Sequence, residues 1–283
     1  DETATGQRLE ASAGLAACLE ALRPHWAKMR ASATSFNAAR GRTRHGVGIG
    51  CMWYGCGNTS MSNPSSMRIV LGDDGTLTYY NGAQDIGQGA LTVMTQIMAD
   101  ALGVPVADIN VIGADTDLTE DAGKSSASRQ TFVSGRAAQL AGQDLRKQIL
   151  QRVNAGDNAT IELRTGHLVV REHNREHILK PDSLPAADDP QDNAVLVGRG
   201  RFDPPTTALD NDGQGAPYAT YGFAAQIAQI EVDVDLGTIK VAKIIAAHDV
   251  GKAVNPTLVE GQIEGGVAQG IGLALMEEFL PGK

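Results

Sequence analysis

Apolar residues recur at the three- and four-residue spacing of an amphipathic helix in four stretches of the chain, 7–29, 91–102, 132–153 and 259–279. The first stretch contains Pro24, which lacks a backbone donor and therefore predicts a break or a new first turn. Gly and Pro directly after the second stretch predict its end. The pattern therefore predicts one or two helices near the amino end and three more along the chain.

Strand-like runs alternate with these helical stretches. Residues 45–54 are apolar and glycine-rich, and residues 67–80 contain two β-prone runs on either side of an Asp-Asp-Gly turn. A further strand is predicted at 109–116 and a hairpin across Thr-Gly at 160–171. Two runs within 224–250 are separated by Asp-Leu-Gly-Thr and predict another hairpin.

Antiparallel hairpins dominate this arrangement, so we predict an α+β fold rather than a doubly wound parallel sheet. The order of hairpin then helix occurs twice, which favours two related lobes of antiparallel hairpins with packed helices. Residues 180–212, rich in Pro, Asp and Asn, are predicted to form a loop or connector. The predicted organisation is a helical lead-in segment (1–45), a first α+β lobe (46–155), a hairpin and connector (156–215), and a second lobe truncated at its carboxyl end (216–283).

Composition and charge narrow the functional classes. The 283 residues are 42% hydrophobic and 20% charged, which is typical of a globular chain with one large or two medium cores. The net charge of -9 argues against a nucleic-acid partner, because phosphate backbones attract clustered Lys and Arg. No run reaches the roughly 18 apolar residues of a membrane helix, so we predict a soluble protein without a membrane span. The amino end has no initiating Met, from which we expect a piece of a longer chain.

The first candidate site is the sequence DIGQG at residues 85–89, between a strand-like run and a helix. Glycines let the backbone approach a ligand, exposed amides at the helix start suit an anion, and Gln88 offers both a donor and an acceptor. The alternative interpretation is an ordinary strand-to-helix turn.

The second candidate is the run AGKSSASRQ at residues 122–130, directly before the longest helical stretch. Small hydroxyls and amides at a helix start can hold a phosphate or the polar edge of a pterin. The Gly-Lys-Ser triplet is not a P-loop, because that motif requires a glycine where Leu118 stands. The alternative interpretation is a cluster of helix-capping serines.

The third candidate is the glycine-rich stretch 260–272, which also carries Gln262 and Gln269. Each glycine inside a helix costs about 1 kcal/mol relative to alanine, so close backbone packing or ligand approach is expected to compensate. Tight helix packing alone explains the glycines but not the two glutamines.

No metal site formed by side chains is predicted. His248 and Asp249 are adjacent in a strand-like run and therefore point to opposite faces, which favours a polar strand end over a shared site. The cysteines lack paired metal spacing, and we interpret them as reduced or buried thiols; they are Cys18, Cys51 and Cys56.

In order and spacing, the three candidate stretches together resemble the molybdenum-binding region of xanthine dehydrogenases and aldehyde oxidases. The resemblance lies in NGAQDIGQGALTVMTQIMADALGV, KSSASRQ, and the run from EVDVDLG to GQIEGGVAQGIGLALMEEF, and it covers about residues 40–153 and 216–280. The resemblance implies the fold of that family, with both lobes binding the cofactor.

Site residues follow from the resemblance position by position. Gln88 with its flanking glycines matches the Gly-Gln-Gly that contacts the pterin, residues 125–130 match the loop around the pterin and its tail, and Gln262 matches the glutamine of a Gly-Gln-x-Glu-Gly run. The positions assigned to cofactor binding are Gly87, Gln88, Gly89, Ser125, Ser126, Ala127, Ser128, Arg129, Gln130 and Gln262.

The family likeness also implies the chemistry. It implies a molybdenum-dependent aldehyde oxidoreductase with molybdopterin, here expected in its cytosine dinucleotide form because KSSASRQ departs from the Ala-rich loop of xanthine dehydrogenases. Electrons would pass to 2Fe-2S clusters in iron–sulfur domains outside this chain. The base glutamate of the family normally follows the Gln-Gly-Ile-Gly helix in a Gly-Glu-Pro-like run, and we expect it beyond Lys283, so no catalytic residue is assigned here.

Several alternatives stay open at the level of sequence. The chain fits a small-molecule aldehyde substrate, but also a related hydroxylase acting on N-heterocycles or a non-catalytic cofactor-binding or interaction subunit. A nucleotide-binding protein using the Gly-Lys-Ser triplet is disfavoured. We expect a homodimer of the longer protein. The sequence leaves both the cytoplasm and the periplasm open as its compartment.

Overall fold

A computed structural model describes residues 1–10, 13–189 and 191–282. Positions 11 and 12 of the first predicted helical stretch, position 190 of the predicted connector and position 283 lie outside the described residues. The main helices and strands in chain order are α1 (Leu15–Asn37), β1 (Thr43–Gly55), β2 (Ser65–Gly72), β3 (Leu77–Asn81), α2 (Ala90–Leu102), β4 (Ile109–Gly113), α3 (Gly135–Arg152), β5 (Thr160–Arg164), β6 (His167–Glu172), β7 (Arg175–Leu179), β8 (Ala194–Phe202), β9 (Tyr221–Asp233), β10 (Thr238–Asp249) and α4 (Pro256–Leu275).

The chain forms two compact units. Unit 1 contains Asp1–Gly55, Leu209–Ala216 and Thr220–Lys283, and unit 2 contains Cys56–Ala208 and Pro217–Ala219. The predicted α+β class with antiparallel hairpins and packed helices is confirmed. The units divide the chain differently from the four predicted segments, because β1 pairs along its whole length with β9, far away in sequence.

Unit 1 is built on the antiparallel sheet β1-β9-β10, with α1 packed on one face. The core between them contains Cys18, Leu22 and Met29 of α1 and Ala225 and Ile227 of β9. This burial explains why α1 continues through Pro24, where the sequence predicted a break. Pro24 lies on the exposed side of the helix, and apolar burial on the opposite side outweighs the about 3 kcal/mol that an interior proline costs.

Unit 2 is built on the sheet β4-β3-β2-β8, in which only β3 and β4 run parallel. Helices α2 and α3 pack together, and α3 lies against β2 and β8. The predicted hairpin β2-β3, the helix α2 and the strand β4 are all confirmed. The fully buried apolar side chains of this unit include Met67, Ile69, Leu71, Leu77, Tyr79, Met94, Met98, Leu102, Leu145 and Ile149.

Strand β8 corrects the prediction of a loop over residues 180–212. Its sequence reads AVLVGRGRF, and glycines replace the apolar residues that would mark a buried face. A Cβ atom at Gly198 would lie 2.3 Å from the carbonyl oxygen of Ala141, and one at Gly200 would lie 2.0 Å from that of Ala137. The backbone of α3 therefore packs directly against β8. The glycines that permit this contact also interrupt the apolar pattern by which a buried strand is predicted.

The three-stranded antiparallel sheet β5-β6-β7 extends unit 2. The predicted hairpin at 160–171 forms its first two strands. Opposite charges line the exposed side of this sheet, where Arg171 bonds to both Glu162 and Glu176. Such exposed ion pairs contribute little to stability, so the sheet depends mainly on its buried apolar residues, among them Ile161, Leu168 and Val170.

Candidate functional site

The turn before α2 is organised by the carboxylate of Asp85. Its oxygens accept hydrogen bonds from the backbone amides of Gly87 (2.9 Å), Gly89 (3.3 Å) and Leu91 (3.0 Å). Partial burial raises the pKa of Asp85, but the three amide donors outweigh it and hold the pKa below its usual value. The expectation of free amides at this helix start is therefore wrong for these three residues, because Asp85 already supplies the anion.

The side chain of Gln88 closes the same turn. Its Oε1 accepts from the Ile86 amide at 2.6 Å, and its Nε2 donates to the Gln84 carbonyl at 3.0 Å. A carboxamide nitrogen carries a second hydrogen, which these contacts leave available. Gly87 has φ +102°, and a Cβ atom there would meet nothing within 4 Å. The turn therefore offers an accessible backbone surface at Gly87 beside one remaining donor of Gln88.

The carbonyl of Gln84 joins this turn to the serine-rich run. It accepts a second hydrogen bond, from Ser125 Oγ at 2.7 Å. Ser125 Oγ in turn accepts from Nε2 of Gln130 at 3.0 Å. Two of the three stretches singled out from the sequence thus meet in one hydrogen-bonded cluster within unit 2.

The serine-rich run forms a strained loop with outward donors. Ala127 and Ser128 both have φ +52°, a left-handed conformation that side chains other than glycine rarely adopt. The Gly57 amide donates to the Ala127 carbonyl at 2.8 Å and fixes one side of the loop. Ser126 and Ser128 are exposed, and the backbone amides of residues 125–128 have no acceptor within the described part of the chain. Loop geometry therefore leaves hydroxyls and amides for an outside acceptor.

Arg129 lies beneath this loop with 0% of its surface exposed. Its Nη1 donates to the carbonyls of Ala122 (2.6 Å) and Lys124 (3.0 Å), and its Nη2 to those of Asn63 (3.0 Å) and Pro64 (2.8 Å). Burial lowers the pKa of Arg129, although the more distant carboxylates of Asp121 and Asp203 partly oppose this. The guanidinium is therefore occupied by the protein's own backbone and does not face outward.

Gln130 and the residues after it support the loop from the helix side. Gln130 is 8% exposed, and its Nε2 also donates to the Lys124 carbonyl at 3.2 Å. Ser134 donates to its Oε1, so the carboxamide has partners at both ends. Residues Gln130–Ser134 form a π-helical turn before α3, a local irregularity that is frequent at functional sites. The predicted helix over 132–153 is thus confirmed as a π-turn followed by α3.

Gln262 belongs to unit 1, where it is exposed on α4. This helix begins as its sequence suggests, with Pro256 in the first turn and the Asn255 side chain accepting from the Leu258 amide at 3.1 Å. No residue of α4 is buried. A Cβ atom would meet nothing within 4 Å at the glycines of its middle turns, which are Gly261, Gly265, Gly266 and Gly270. Packing against the described residues therefore does not account for these glycines.

The polar strand end of β10 has local partners. Nε2 of His248 lies 3.2 Å from Nε2 of Gln226, and burial lowers the pKa of His248. Asp249 Oδ1 accepts from the Gly251 amide at 3.0 Å, and its carboxylate lies where a side chain at Gly14 would stand. Side chains at adjacent strand positions alternate in direction, and these partners agree with the interpretation of His248 and Asp249 as a polar strand end.

The described residues contain no group of three or more His, Cys, Asp or Glu arranged to hold a metal ion. The three cysteines are free; Cys18 is buried, whereas Cys51 is exposed and fits the reduced but not the buried form of the prediction. Within the same residues, no helix has the length and hydropathy needed to cross a bilayer.

Two residues that shape the site, Asp85 and Gly123, lie within the candidate stretches, but neither of them was assigned a role from the sequence. The Asp-x-Gly-x-Gly spacing was a usable signal for the first, because an Asp side chain often bonds to the amide two residues on. Gly123 has φ +72°, and a Cβ atom there would lie 2.7 Å from both terminal nitrogens of Arg129. This requirement depends on a buried contact and has no signal in the sequence.

The comparisons with a family model, with related sequences and with solved structures agree on one protein family. Residues 20–282 match the molybdopterin cofactor-binding domain family. The chain is 34% identical to the putative xanthine dehydrogenase molybdenum-binding subunit of Escherichia coli, over 98% of this chain and 36% of that protein. It is 32% identical to the gamma subunit of the 6-hydroxypseudooxynicotine dehydrogenase complex of Paenarthrobacter nicotinovorans, over 83% of this chain and 29% of that protein.

Among solved structures, the aldehyde oxidoreductase of Desulfovibrio desulfuricans matches with a TM-score of 0.79 and 26% identity. The match covers 99% of this chain and 28% of that chain. The present chain thus spans about a third of the length of the proteins that it matches.

Proposed function

Because the chain belongs to the molybdopterin cofactor-binding domain family, we propose that it supplies cofactor-holding residues of a molybdenum hydroxylase that oxidises aldehydes to carboxylic acids. The observation that carries the proposal is that the Gln84 carbonyl accepts hydrogen bonds from both Gln88 and Ser125. These two bonds connect the turn before α2 with the serine-rich loop. Its surface offers amides, hydroxyls and a carboxamide hydrogen. These donors suit an anionic ligand rich in acceptors, such as a pterin phosphate.

Each assigned residue has a distinct task in this proposal. Gly87 and Gly89 allow the backbone of the turn to approach the pterin, and Gln88 donates its free carboxamide hydrogen. Residues 125–128 donate backbone amides to the phosphate-bearing tail, Ser126 and Ser128 also donate their hydroxyls, and Gln130 holds Ser125 in place. Gln262 is assigned to the cofactor by its position in the Gly-Gln-x-Glu-Gly run and by its exposure.

When bound, the molybdenum centre supplies the oxidation chemistry. The residues of this chain bind and orient the cofactor, and its outward amides and hydroxyls replace the water that would otherwise solvate the phosphates. We assign no catalytic base to the chain. The electrons are proposed to pass to iron–sulfur domains of the same protein or complex, and the dinucleotide is proposed to carry cytosine.

The experiment is a composition and activity assay of the purified holoprotein. Stoichiometric molybdenum, with a cytidine nucleotide released by acid hydrolysis, is the expected composition. Oxidation of an aldehyde panel to carboxylic acids, followed with an artificial electron acceptor, is the expected activity. A protein that binds neither molybdenum nor a pterin, although folded, would exclude the proposed function.

A hydroxylase acting on N-heterocycles is the second candidate, favoured by the 34% identity to a putative xanthine dehydrogenase subunit. The same assay separates the two, because hypoxanthine and xanthine replace the aldehydes as substrates. A guanine nucleotide in place of cytidine would correct the proposed tail without affecting the cofactor assignment. Molybdenum without either turnover would favour a cofactor-binding subunit that requires its partners.

A further inference from the structure

The loop of residues 125–128 is held in a conformation that it would not adopt by itself. Two consecutive non-glycine residues, Ala127 and Ser128, have positive φ, and each such residue costs of the order of 1 kcal/mol or more. Within the described residues the outward amides of the loop make no hydrogen bond that would offset this cost. The conformation must therefore be imposed by contacts on the inner side of the loop.

The inner contacts converge on Arg129. Its two terminal nitrogens bond to four carbonyls, two in the segment before β2 (Asn63 and Pro64) and two at the start of the loop (Ala122 and Lys124). The bond from the Gly57 amide to the Ala127 carbonyl connects the same two segments a second time. Arg129 thus ties the serine-rich loop to the chain segment 57–64.

No carboxylate forms an ion pair with this buried guanidinium among the described residues, and its Nε has no hydrogen-bond partner. A buried cation satisfied by carbonyl dipoles keeps its positive charge directed at the surrounding loop. The Lys124 carbonyl points toward Arg129, so the amide of Ser125 in the same peptide unit is directed away from the guanidinium. Both effects favour an anion on the outer side of the loop.

From this geometry we infer that Arg129 is a positioning residue of the cofactor site: it fixes the strained loop so that the amides of residues 125–128 face the phosphate-bearing part of the cofactor. The inference rests on the proposed function for the identity of the ligand. It differs from the assignment of Arg129 as a direct cofactor contact, because the guanidinium acts through the backbone that it holds.

The test compares Arg129→Lys and Arg129→Met with the unsubstituted holoprotein. A lysine ammonium has three donors and cannot satisfy all four carbonyls, so we expect a partial defect for Arg129→Lys and a larger one for Arg129→Met. Molybdenum and nucleotide content is expected to fall about tenfold in Arg129→Met. This is the scale of loss that follows when a residue supporting a metal-binding side chain is substituted. Arg136→Met is the matched control, because Arg136 is exposed on α3 and bonds to Gln139.

A second measurement separates positioning from direct contact. In protein produced without molybdate, hydrogen exchange of the segments 57–64 and 122–130 is expected to increase at least severalfold in Arg129→Lys, while exchange of the core strands β2 and β3 stays unchanged. A residue that acts only by touching the cofactor would leave exchange in the cofactor-free protein as it is. Unchanged exchange in both segments would therefore overturn the inference.

If Arg129→Met does not fold, Gly123→Ala provides an independent variant, since its added Cβ atom would displace the guanidinium without removing the charge. It is expected to produce the same pattern of exchange and cofactor loss. Retention of full cofactor content by folded Gly123→Ala and Arg129→Lys variants would also overturn the inference. Absence of molybdenum from the unsubstituted protein would instead refute the proposed function, and with it the ligand assigned to the loop.

Discussion

Unit 2 and the helix α4 of unit 1 both contain functionally or structurally informative glycines, but the surroundings of these glycines differ. In unit 2, Gly123, Gly198 and Gly200 lie against a guanidinium or a helix backbone, where no Cβ atom fits. In α4, the glycines of the middle turns meet nothing among the described residues, and no side chain of the helix is buried. Contacts within unit 2 therefore account for its glycines, whereas contacts among the described residues do not account for those of α4.

The largest effect is expected from a substitution in the packed glycines. In Gly200→Ala, the new Cβ atom would lie 2.0 Å from the Ala137 carbonyl oxygen, so α3 must move away from β8. We expect unit 2 to lose about 3 kcal/mol of unfolding free energy, near the upper range for overpacking. Urea unfolding followed by circular dichroism measures the loss. A stability equal to that of the unsubstituted protein would mean that α3 does not rest on β8 as described.

The second largest effect is expected on cofactor binding, from a substitution in the exposed helix α4. Gln262→Ala is expected to lower molybdenum content about tenfold, equivalent to about 1.4 kcal/mol of binding, if its carboxamide contacts the cofactor. The unfolding midpoint of the cofactor-free protein should not fall, because the side chain is exposed and alanine favours helix. Thr257→Ala, at another exposed position of α4, is the control. Normal cofactor content in Gln262→Ala would remove Gln262 from the site.

A smaller effect, specific to unit 2, is expected from Asp85→Asn. The asparagine side chain keeps one oxygen acceptor for the turn, but its NH2 group replaces the other oxygen and cannot accept from a backbone amide. The substitution also removes the charge that favours the start of α2, so we expect a loss of about 1 kcal/mol at pH 7. Because the pKa of Asp85 is depressed in the folded state, its contribution is present above the ordinary carboxyl pKa and is lost as the pH falls through the lower folded value. The difference between the two proteins in urea unfolding should therefore shrink from pH 7 to pH 3, and a constant difference would contradict this role.

The smallest effect is expected to have the opposite sign. In Gly265→Ala the new methyl group meets nothing within 4 Å, so the cofactor-free protein should gain up to about 1 kcal/mol from the better helix propensity of alanine. Differential scanning calorimetry of the cofactor-free protein measures the gain. If the same variant loses cofactor in the holoprotein, the glycine is needed for close approach of the cofactor. If the variant destabilises the cofactor-free protein, the conclusion that α4 glycines are unpacked whereas β8 glycines are packed is wrong.

Local patterns in the sequence were sufficient for most elements. Helices α2 and α3, the hairpin β2-β3 and the pair β9-β10 follow from periodicity and turn residues, because their buried faces are made of ordinary apolar side chains. Strand β8 and the continuous helix α1 did not follow from such patterns. The first has glycines where α3 approaches, and the second retains Pro24 through packing with distant strands, and both effects depend on tertiary contacts.

The candidate site was predictable as a set of segments but not in its internal bonding. The resemblance of GQG and KSSASRQ to a family identified segments that do meet, at the Gln84 carbonyl. It did not indicate that the Asp85 carboxylate accepts hydrogen bonds from the backbone amides at the start of α2. Nor did it indicate that the Arg129 side chain is buried. The orientation of each polar side chain depends on its hydrogen-bond partners in the folded protein. The spacing of residues along the chain does not specify those partners.

The exposed end of α4 also has a practical consequence for colloidal behaviour. Met276 and Phe279 are each 87% exposed, and Leu273 is 66% exposed close by in sequence. Large apolar side chains exposed to water promote self-association, and the net charge of -9 opposes it only at low ionic strength, where repulsion is unscreened. Light scattering of the isolated chain should therefore show particle size increasing with salt, and mild detergent should reverse the increase.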